Sequence, residues 1–356
     1  LARQFPPDLY RLVFIDKDPH LIGRLKEQGR YRIGFFGGRR KPVTISGYEA
    51  LLTGDPGAEE LLRQAAYIFT CVGEQNLREA GDYLSQALGQ SSQIPKVVIA
   101  AENGTGAARI LREGITAQGV RLCECLMLCT TIGEKGSLHI LSEDVDHLPY
   151  NREACDRPLP FGSFAPFGDF STLVKRKIYT YNTLSACIAY PGFFKGYDSF
   201  GQAANDPEIF ALTDRLEASL NQTIAREYGI PSREQEKFSQ MAKRKFRNLE
   251  IEDSVARNAR DVRRKLGPGD RIAAPLALMM AHRVPAGEME LVAAAALLYG
   301  IQKGEIDAAP GRAESLKAAF IRLSGIQDER LAAAVAEKAG QIAAGRLLGG
   351  PLPKGP

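Results

Sequence analysis

The sequence predicts an α/β domain over residues 1–170 and a mainly helical domain over residues 171–350. Two observations lead to this prediction. In the first part of the chain, short apolar runs of strand length alternate with helical patterns. In the second part, apolar residues recur at helical spacing and strand-like runs are few. A chain of 356 residues is long enough for two hydrophobic cores, and residues 351–356 are expected to form a disordered tail.

The first domain is predicted from three strands, each followed by a helix. The predicted strands cover residues 11–16, 67–72 and 96–101. The predicted helices cover residues 19–28, 76–90 and 106–113. Because parallel strands need long crossover connections, elements in this order favour a parallel sheet of the Rossmann type.

Four residues that could bind a ligand follow the predicted strands: Asp16, Gly73, Glu102 and Asn103. Ligands of parallel α/β sheets bind beyond the carboxyl ends of the strands. An acid that closes the second strand of a dinucleotide fold accepts a hydrogen bond from the adenosine ribose and favours NAD over NADP. We therefore predict that these four residues bind NAD. For Asp16 a cap or turn role remains open, since its DKDP context is typical of turns.

A dinucleotide fold opens with a strand and a Gly-x-Gly-x-x-Gly turn whose amides meet the pyrophosphate. No such turn precedes Asp16 in this sequence, and Gly34, Gly37 and Gly38 come too late to take its place. We therefore expect that the first strand and the glycine-rich turn, roughly 15–20 residues, lie outside this sequence.

The second domain is predicted as a series of helices after residue 171. Their apolar spacing and end signals give the ranges 213–228, 233–246, 252–266, 273–281, 288–299, 315–323 and 329–344.

Lys177, Asn182 and Ser185 are predicted to form a catalytic face on one helix. In an α-helix they lie at about 0°, 140° and 80° around the axis, so one open groove could contact all three. A lysine in a partly dry groove can lose its proton and act as a general base toward an alcohol. The alternative is an ordinary amphipathic helix with a solvated lysine and a capping or core amide.

A row of arginines is predicted on one face of the helix 252–266. Arg257, Arg260 and Arg264 are spaced at i, i+3 and i+7, and guanidinium groups offer forked donors to a phosphate or carboxylate. The alternative, which we favour for most of these arginines, is a solvated face with acidic partners at helical spacing. The basic residues expected to contact a substrate are Arg257, Lys265 and Arg271.

Composition excludes several classes of protein. The hydrophobic content of 44% and charged content of 25% are ordinary for a globular chain. The net charge of +4 is too small to indicate a nucleic-acid partner. No apolar run approaches the ~18 residues of a membrane span, so no membrane partner is expected.

The cysteines indicate a reducing compartment. Six cysteines scattered over this length do not make a disulfide framework, so we expect a cytoplasmic location. Cys123, Cys125 and Cys129 are closely spaced but lack a nearby fourth metal ligand. Burial along a strand explains the same spacing, and we predict no metal site.

Two segments resemble the polyol-specific long-chain dehydrogenases of the mannitol dehydrogenase family. In RKIYTYNTLSACIAYPGFFKGY, Lys177 and Asn182 match the family signature of Lys, four residues, Asn, two residues, His, and Ser185 replaces the histidine. The segment KFRNLEIEDSVARNARDVRRKLGPGDRIAAPL resembles the same family without a gap. FIDKD, FTCVG and AAEN match it in order in the first domain.

The resemblance implies NAD-dependent hydride transfer at a polyol carbon without a metal. Lys177 would be the general base, and Asn182 and Asn103 would donate hydrogen bonds to the reacting oxygen. The implied substrate is a small polyol phosphate of the mannitol 1-phosphate/fructose 6-phosphate type, or a sugar acid. A monomer or weak homo-oligomer is expected.

The departure at Ser185 leaves an alternative open. Serine keeps a hydrogen-bond donor but is shorter than histidine and cannot carry a charge. The chain could therefore be a catalytically weakened or silent homologue that binds a nucleotide or a sugar phosphate.

Overall fold

A computed structural model of the chain describes residues 1–102, 106–134, 136–155 and 158–348. The chain divides into two compact units, Leu1–Val174 and Lys175–Pro356. The domain limits predicted at residue 170 stay a prediction, and the tail predicted at 351–356 lies outside the described residues.

In the described residues before Phe170, the first unit forms eleven strands and four α-helices, besides three short 3-10 helical turns. The strands are β1 (Leu12–Asp16), β2 (Arg30–Phe35), β3 (Val43–Ser46), β4 (Tyr48–Leu52), β5 (Tyr67–Thr70), β6 (Ser91–Ala100), β7 (Gln118–Glu124), β8 (Thr131–Gly133), β9 (Ile140–Ser142), β10 (Leu148–Asn151) and β11 (Phe164–Phe167). The helices are α1 (Pro19–Gln28), α2 (Pro56–Gln64), α3 (Leu77–Leu88) and α4 (Ala107–Gly114).

The strands that were predicted from the sequence pair in parallel with their neighbours. Strands β5, β6 and β7 form one parallel sheet, and α3 and α4 provide its crossovers. Strand β1 pairs in parallel with β4, with Asp16 opposite Leu52. Apolar side chains between the β5–β7 sheet and its helices form a buried cluster around Val98 and Leu111. The predicted parallel α/β architecture is confirmed.

Six further strands of the first unit, β2, β3 and β8–β11, were not predicted. Strand β2 pairs antiparallel with β3 and parallel with β9, and β8 extends this sheet. Strands β10 and β11 form a separate parallel pair. Most of these strands have only three or four residues, too few for an alternating pattern to be recognised.

The second unit is helical throughout its described residues. Its helices follow α5 (Phe170–Lys177), which crosses the boundary between the units, and a π-helical turn (Ile178–Asn182). They are α6 (Thr183–Phe194), α7 (Phe200–Asn205), α8 (Pro207–Tyr228), α9 (Ser232–Phe246), α10 (Val255–Ala259), α11 (Val262–Leu266), α12 (Ala273–Ala281), α13 (Gly287–Gln302), α14 (Ala313–Ser324) and α15 (Glu329–Ala343).

Helices α6 and α13 lie at the centre of this unit. Eleven of the twelve residues of α6 are buried, and the middle of α13 is buried on all sides. The two helices pack together, with the rings of Tyr190 and Tyr299 5.5 Å apart. A helix that is apolar on every face must be surrounded by others, so α6 holds its side chains in a fixed frame.

Two predicted helices differ from the structure. Helix α8 begins at Pro207 rather than residue 213, because the Asp206 carboxylate accepts hydrogen bonds from the first amides of the helix. The predicted helix 252–266 is two short helices, because Asp261 between them adopts a left-handed conformation with φ of 59°.

Among the described residues, no helix is both long enough and apolar enough to cross a bilayer.

Candidate active site

Lys177 is the last residue of α5, and the π-turn Ile178–Asn182 follows it directly. The prediction of one regular α-helix through Lys177, Asn182 and Ser185 is therefore wrong. A π-turn, with i→i+5 bonds and roughly 4.4 residues per turn, reduces the angle between Lys177 and Asn182 from about 140° to about 50°. The turn therefore brings the lysine and the amide nearly onto one face.

A buried polar network supports this turn from α9. The guanidinium of Arg176 donates to Gln235 Oε1 at 2.8 Å and to Glu234 Oε1 at 2.7 Å. The Gln235 amide donates in turn to Thr180 Oγ1 at 3.0 Å and to Asn221 Oδ1 at 3.2 Å. Gln235 and Thr180 have no exposed surface. The Gln235 side chain thus connects residues before and inside the π-turn.

The Lys177 amine lies in a dry and positively charged environment. The residue is 8% exposed, and burial lowers the pKa of its amine to about 7. The charges of Arg271, Lys245 and Arg264 lower this pKa further, whereas the Asp270 carboxylate raises it. Near neutral pH a substantial fraction of Lys177 is therefore uncharged.

Asp270 organises the two arginines near this lysine. Its carboxylate accepts from Arg271 Nε at 2.9 Å and from Arg264 at 2.6 Å. Burial is the largest single influence and raises the pKa of Asp270, but Arg271 and Arg264 together outweigh it, so the pKa is lowered overall. The Arg271 carbonyl accepts a hydrogen bond of 2.8 Å from Thr183 Oγ1, which ties this loop to the start of α6.

Ser185 and Lys265 are both connected to Asn258. The Ser185 hydroxyl donates to Asn258 Oδ1 at 3.1 Å, and Lys265 Nζ donates to the Asn258 carbonyl at 2.5 Å. Lys265 is 3% exposed, and burial lowers the pKa of its amine to about 7. Arg271 and Arg264 add to this shift. The second unit thus holds two buried lysines whose amines titrate near neutral pH.

The arginine row predicted on one helical face is not present. Arg257 lies in α10, Arg260 follows its end, and Arg264 lies in α11 beyond the left-handed Asp261. Arg257 forms an ion pair of 2.8 Å with Asp253, as the solvated-face alternative proposed. Arg260 lies 3.9 Å from the Asp261 carboxylate, and Arg264 contacts both Asp261 and Asp270.

The predicted cofactor residues of the first unit lie where its parallel strands end. Asp16 closes β1, and one of its carboxylate oxygens accepts from the Asp18 amide at 2.9 Å, which is the turn role left open by the sequence. Gly73 follows β5 and adopts a φ of 84°, which a larger residue rarely adopts. Asn103 lies outside the described residues.

Glu102 has a structural connection that the sequence did not indicate. Its carboxylate accepts from the Val72 amide at 2.7 Å and from the Gly73 amide at 3.2 Å. Burial raises the pKa of Glu102, although these backbone donors oppose the shift. Glu102 therefore fixes the loop after β5.

No metal-binding cluster was found in the part of the chain that the structure describes, since it contains no group of three His, Cys, Asp or Glu side chains placed to hold an ion. Cys123 and Cys125 are buried, as expected for strand cysteines, and Cys129 is half-buried.

The sequence profile of the mannitol dehydrogenase C-terminal domain matches residues 169–348, slightly more than half of the chain. The chain belongs to the mannitol dehydrogenase family. This confirms the family predicted from the lysine signature and makes the chain an oxidoreductase of that family.

Individual relatives agree with this membership. The mannitol-1-phosphate 5-dehydrogenase of Geobacillus thermodenitrificans (strain NG80-2) is 26% identical over 322 residues, covering 84% of this chain and 83% of the relative. The solved mannitol 2-dehydrogenase of Pseudomonas fluorescens, a ternary complex with NAD and D-mannitol, has a TM-score of 0.75 at 14% identity. The superposition covers 95% of this chain and 86% of the mannitol 2-dehydrogenase chain.

A second solved structure gives the same result for the fold. D-sorbitol dehydrogenase in substrate-free form has a TM-score of 0.71 at 12% identity, with 95% of this chain and 88% of that chain covered. The likeness of this mannitol dehydrogenase family member to both structures confirms the predicted fold class, a Rossmann-type domain followed by a helical domain.

Three residues near the lysines of this family member were missed as site residues. They are Lys245, Asn258 and Asp270. Lys245 and Asp270 influence Lys177, and Asn258 accepts a hydrogen bond from Ser185. Both Lys177 and Ser185 are more than 60 positions away in sequence, so no local spacing identified these three residues. The adjacent Asp270-Arg271 pair was the available signal, because an acid beside a predicted ligand-binding arginine often orients it.

Proposed function

We propose that this chain is an NAD-dependent dehydrogenase with Lys177 as its general base. It interconverts a polyol phosphate, of the mannitol 1-phosphate/fructose 6-phosphate type, or a sugar acid with the corresponding keto form, and the proton transfer needs no metal. The single observation that supports this best is the burial of Lys177, which lowers the pKa of its amine to about 7. An amine of this pKa can accept a proton at neutral pH.

The proton step uses the neighbours of Lys177. In the oxidation direction, the uncharged amine accepts the proton of the substrate hydroxyl, and the Asn182 amide donates a hydrogen bond to the same oxygen. The charges of Arg271 and Lys245 disfavour the ammonium form and thus keep the base available. In the reverse direction the ammonium returns the proton to the carbonyl oxygen.

The charge of the site favours an anionic substrate. Among the described residues, Arg264, Arg271 and Lys245 lower the pKa of Lys177, and the Asp270 carboxylate opposes these three cations. This leaves a net positive charge to which a phosphate or carboxylate is attracted. The predicted substrate residues Arg257 and Lys265 belong to the same unit.

The first unit offers residues that fit NAD. Among the described residues, none donates to the second carboxylate oxygen of Asp16, which can therefore accept from a ribose hydroxyl. Gly73 places no side chain near the end of β5, its positive φ favours glycine at this position, and its amide is held by the Glu102 carboxylate. When bound, NAD takes up the hydride from the substrate carbon.

Turnover can be followed by the absorbance of NADH with fructose 6-phosphate, fructuronate and tagaturonate as separate substrates. We expect oxidation of NADH with at least one of them. Lys177→Met should lower kcat by about 10²–10⁴ because the proton acceptor is lost. The matched control is Lys175→Met, since Lys175 is exposed two residues earlier and should leave kcat unchanged. Equal kcat in both variants would exclude Lys177 as the base.

One observation favours a second candidate, a weakened or silent homologue that binds a nucleotide or sugar phosphate. The only hydroxyl proton of Ser185 is donated to Asn258, so Ser185 as observed does not offer it to a substrate. In Ser185→His, an active but weakened enzyme should gain about tenfold or more in kcat, since a donor to the developing charge contributes up to 10²–10³ in rate. Absence of turnover in both forms, with nucleotide still bound in calorimetry, would support the silent homologue.

A further inference from the structure

A series of hydrogen bonds connects helix α8 with the π-turn. The Ser239 hydroxyl donates to Glu217 Oε1 at 2.6 Å, and the Asn221 amide donates to the same hydroxyl oxygen at 3.0 Å. Asn221 Oδ1 accepts from Gln235 Nε2 at 3.2 Å, and this nitrogen also donates to Thr180 Oγ1 at 3.0 Å. Three side chains thus connect Glu217 on α8 with Thr180 inside the turn. We call this series the Glu217–Thr180 network.

The two ends of this network favour one direction for every hydrogen bond in it. At one end the Glu217 carboxylate accepts and does not donate. At the other end the Arg176 guanidinium only donates, and its Nε donates to Gln235 Oε1 at 2.8 Å. The serine hydroxyl and the two amides between them have an orientation that satisfies both ends. Glu217 and Arg176 therefore support the same orientation of the Gln235 amide against the π-turn.

Glu217 is held in place by three donors. Besides the hydrogen bond from Ser239, Lys243 Nζ donates to Glu217 Oε2 at 2.7 Å, and Gln240 Nε2 donates to Glu217 Oε1 at 3.1 Å. Glu217 is 5% exposed, and Ser239 has no exposed surface. Because a buried polar group without a partner is costly, these contacts keep the carboxylate as a fixed acceptor at the end of the network.

We propose that Glu217 holds the π-turn through the Glu217–Thr180 network and thereby acts as a positioning residue for Lys177. Thr180, where the network meets the turn, lies three residues after Lys177 and two before Asn182. A displacement of the turn moves the amine away from the reacting oxygen, and about 1 Å of displacement can cost about 10²-fold in rate. The part of the proposal that concerns turnover rests on the proposed role of Lys177 as the base.

Ser239→Ala tests the network with a small change. It removes the link between Glu217 and Asn221, while Lys243 and Gln240 still donate to the carboxylate. Hydrogen exchange of the full chain, followed by mass spectrometry, measures the backbone amides of the π-turn. We expect these amides to exchange about fivefold faster, as for the loss of one buried hydrogen bond in a local opening equilibrium. Unchanged exchange would overturn the proposal, whether or not the protein converts a substrate.

Turnover of the same variant measures the effect on Lys177. With a substrate that the wild type converts, kcat of Ser239→Ala should fall by about three- to tenfold, and KM should change by less than about twofold. Combined with Gln235→Leu, Ser239→Ala should lower kcat no further, because both changes interrupt one network. An unchanged kcat, or additive losses in the double variant, would contradict the proposal. If the wild type shows no turnover, the proposed function fails and the exchange measurement alone decides.

The matched control is Asp214→Asn. Asp214 lies on the same helix as Glu217 and pairs with the same Lys243. In the part of the chain that the structure describes, its carboxylate contacts this lysine and not Ser239. The exchange of the π-turn amides and kcat should stay as in the wild type. Equal effects of Asp214→Asn and Ser239→Ala would mean that the charge of Lys243, and not the network, controls the turn, and the proposal would be wrong.

Discussion

At the residue scale, the amine of Lys177 is almost fully removed from water and lies within the influence of three cations. Burial is the largest cause of its lowered pKa, and the Arg271 charge is the next. The Asp270 carboxylate opposes both effects. The balance leaves the amine near the midpoint of its titration at neutral pH, where a general base and its conjugate acid are both available.

The pH dependence of turnover follows from this balance. In the mechanism that we propose, oxidation of the alcohol requires uncharged Lys177, so the kcat of oxidation should rise with pH through about 7 and then level off. Reduction of the keto form requires the ammonium, so its kcat should fall as pH rises through the same region. Steady-state rates between pH 5.5 and 9, in roughly half-unit steps, test both directions. The same pH dependence in both directions would contradict a lysine base.

A charge variant shows whether Lys177 is the group that titrates. Lys245 lowers the pKa of Lys177, so Lys245→Met should move both profiles to higher pH. The exposed neighbour Arg244 provides the matched control, and Arg244→Met should leave the profiles in place. A profile that stays at the same pH in Lys245→Met would mean that another group controls turnover.

At the scale of elements, the π-turn is the feature that joins Lys177 and Asn182. A π-turn has poorer packing than an α-helix and persists only where its surroundings hold it. Here α9 provides the support through Gln235, whose amide group is fully buried and hydrogen-bonded on both sides. Thr183 Oγ1 also contacts the Ile178 carbonyl at 3.3 Å, across the turn.

Removal of the Gln235 amide should disturb the turn. Gln235→Leu leaves Arg176, Thr180 and Asn221 without their buried partner, at a cost of roughly 1–3 kcal/mol in unfolding free energy. We also expect kcat to fall by about tenfold or more with a smaller change in KM, because Lys177 is displaced from its working geometry. The pH profile should shift in the same variant, which a purely structural role would not produce.

The matched control lies on the same helix. Gln240 is exposed and donates to the Glu217 carboxylate at 3.1 Å, away from the π-turn. Gln240→Leu should change the unfolding free energy by less than about 0.5 kcal/mol and leave kcat as in the wild type. Equal effects of the two leucine variants on kcat would show that Gln235 does not position the lysine.

At the scale of the whole molecule, the two buried lysines link stability to pH. Their folded pKa values of about 7 lie well below the ordinary lysine value of 10.5. Between these values the unfolded chain binds more protons than the folded chain, so each lysine makes stability rise with pH from about 7 to 10.5. Below about pH 7 the two lysines become charged in the folded chain as well, so both states bind equal numbers of protons and the contribution of the lysines levels off.

Lys265→Met should remove one part of this dependence. One such lysine raises the free energy of unfolding by about 2 kcal/mol between pH 7 and pH 9. The free energy of unfolding of the variant should therefore rise by about 2 kcal/mol less over this interval than that of the wild type. Urea unfolding at the two pH values measures the difference. Lys237→Met, at an exposed position, should keep the wild-type gain. An undiminished gain in Lys265→Met would mean that Lys265 is charged in the folded protein.

The family and the limits of several elements could be predicted from the sequence alone. Helix α1 and helix α12 have the predicted limits, because caps and apolar spacing act within a few residues of chain. The positions of Lys177 and Asn182 and the family signature were likewise readable from a short segment. The family is confirmed, whereas the catalytic roles of these residues remain predictions.

Only the tertiary structure decided the geometry and charge state of the candidate site. The π-turn depends on Gln235 from another helix, and the left-handed Asp261 separates arginines that the spacing placed together. The pKa values of the lysines depend on removal of water and on charges distant in sequence. Local propensity contains none of this information, because desolvation and long-range contacts exist only after the chain has folded.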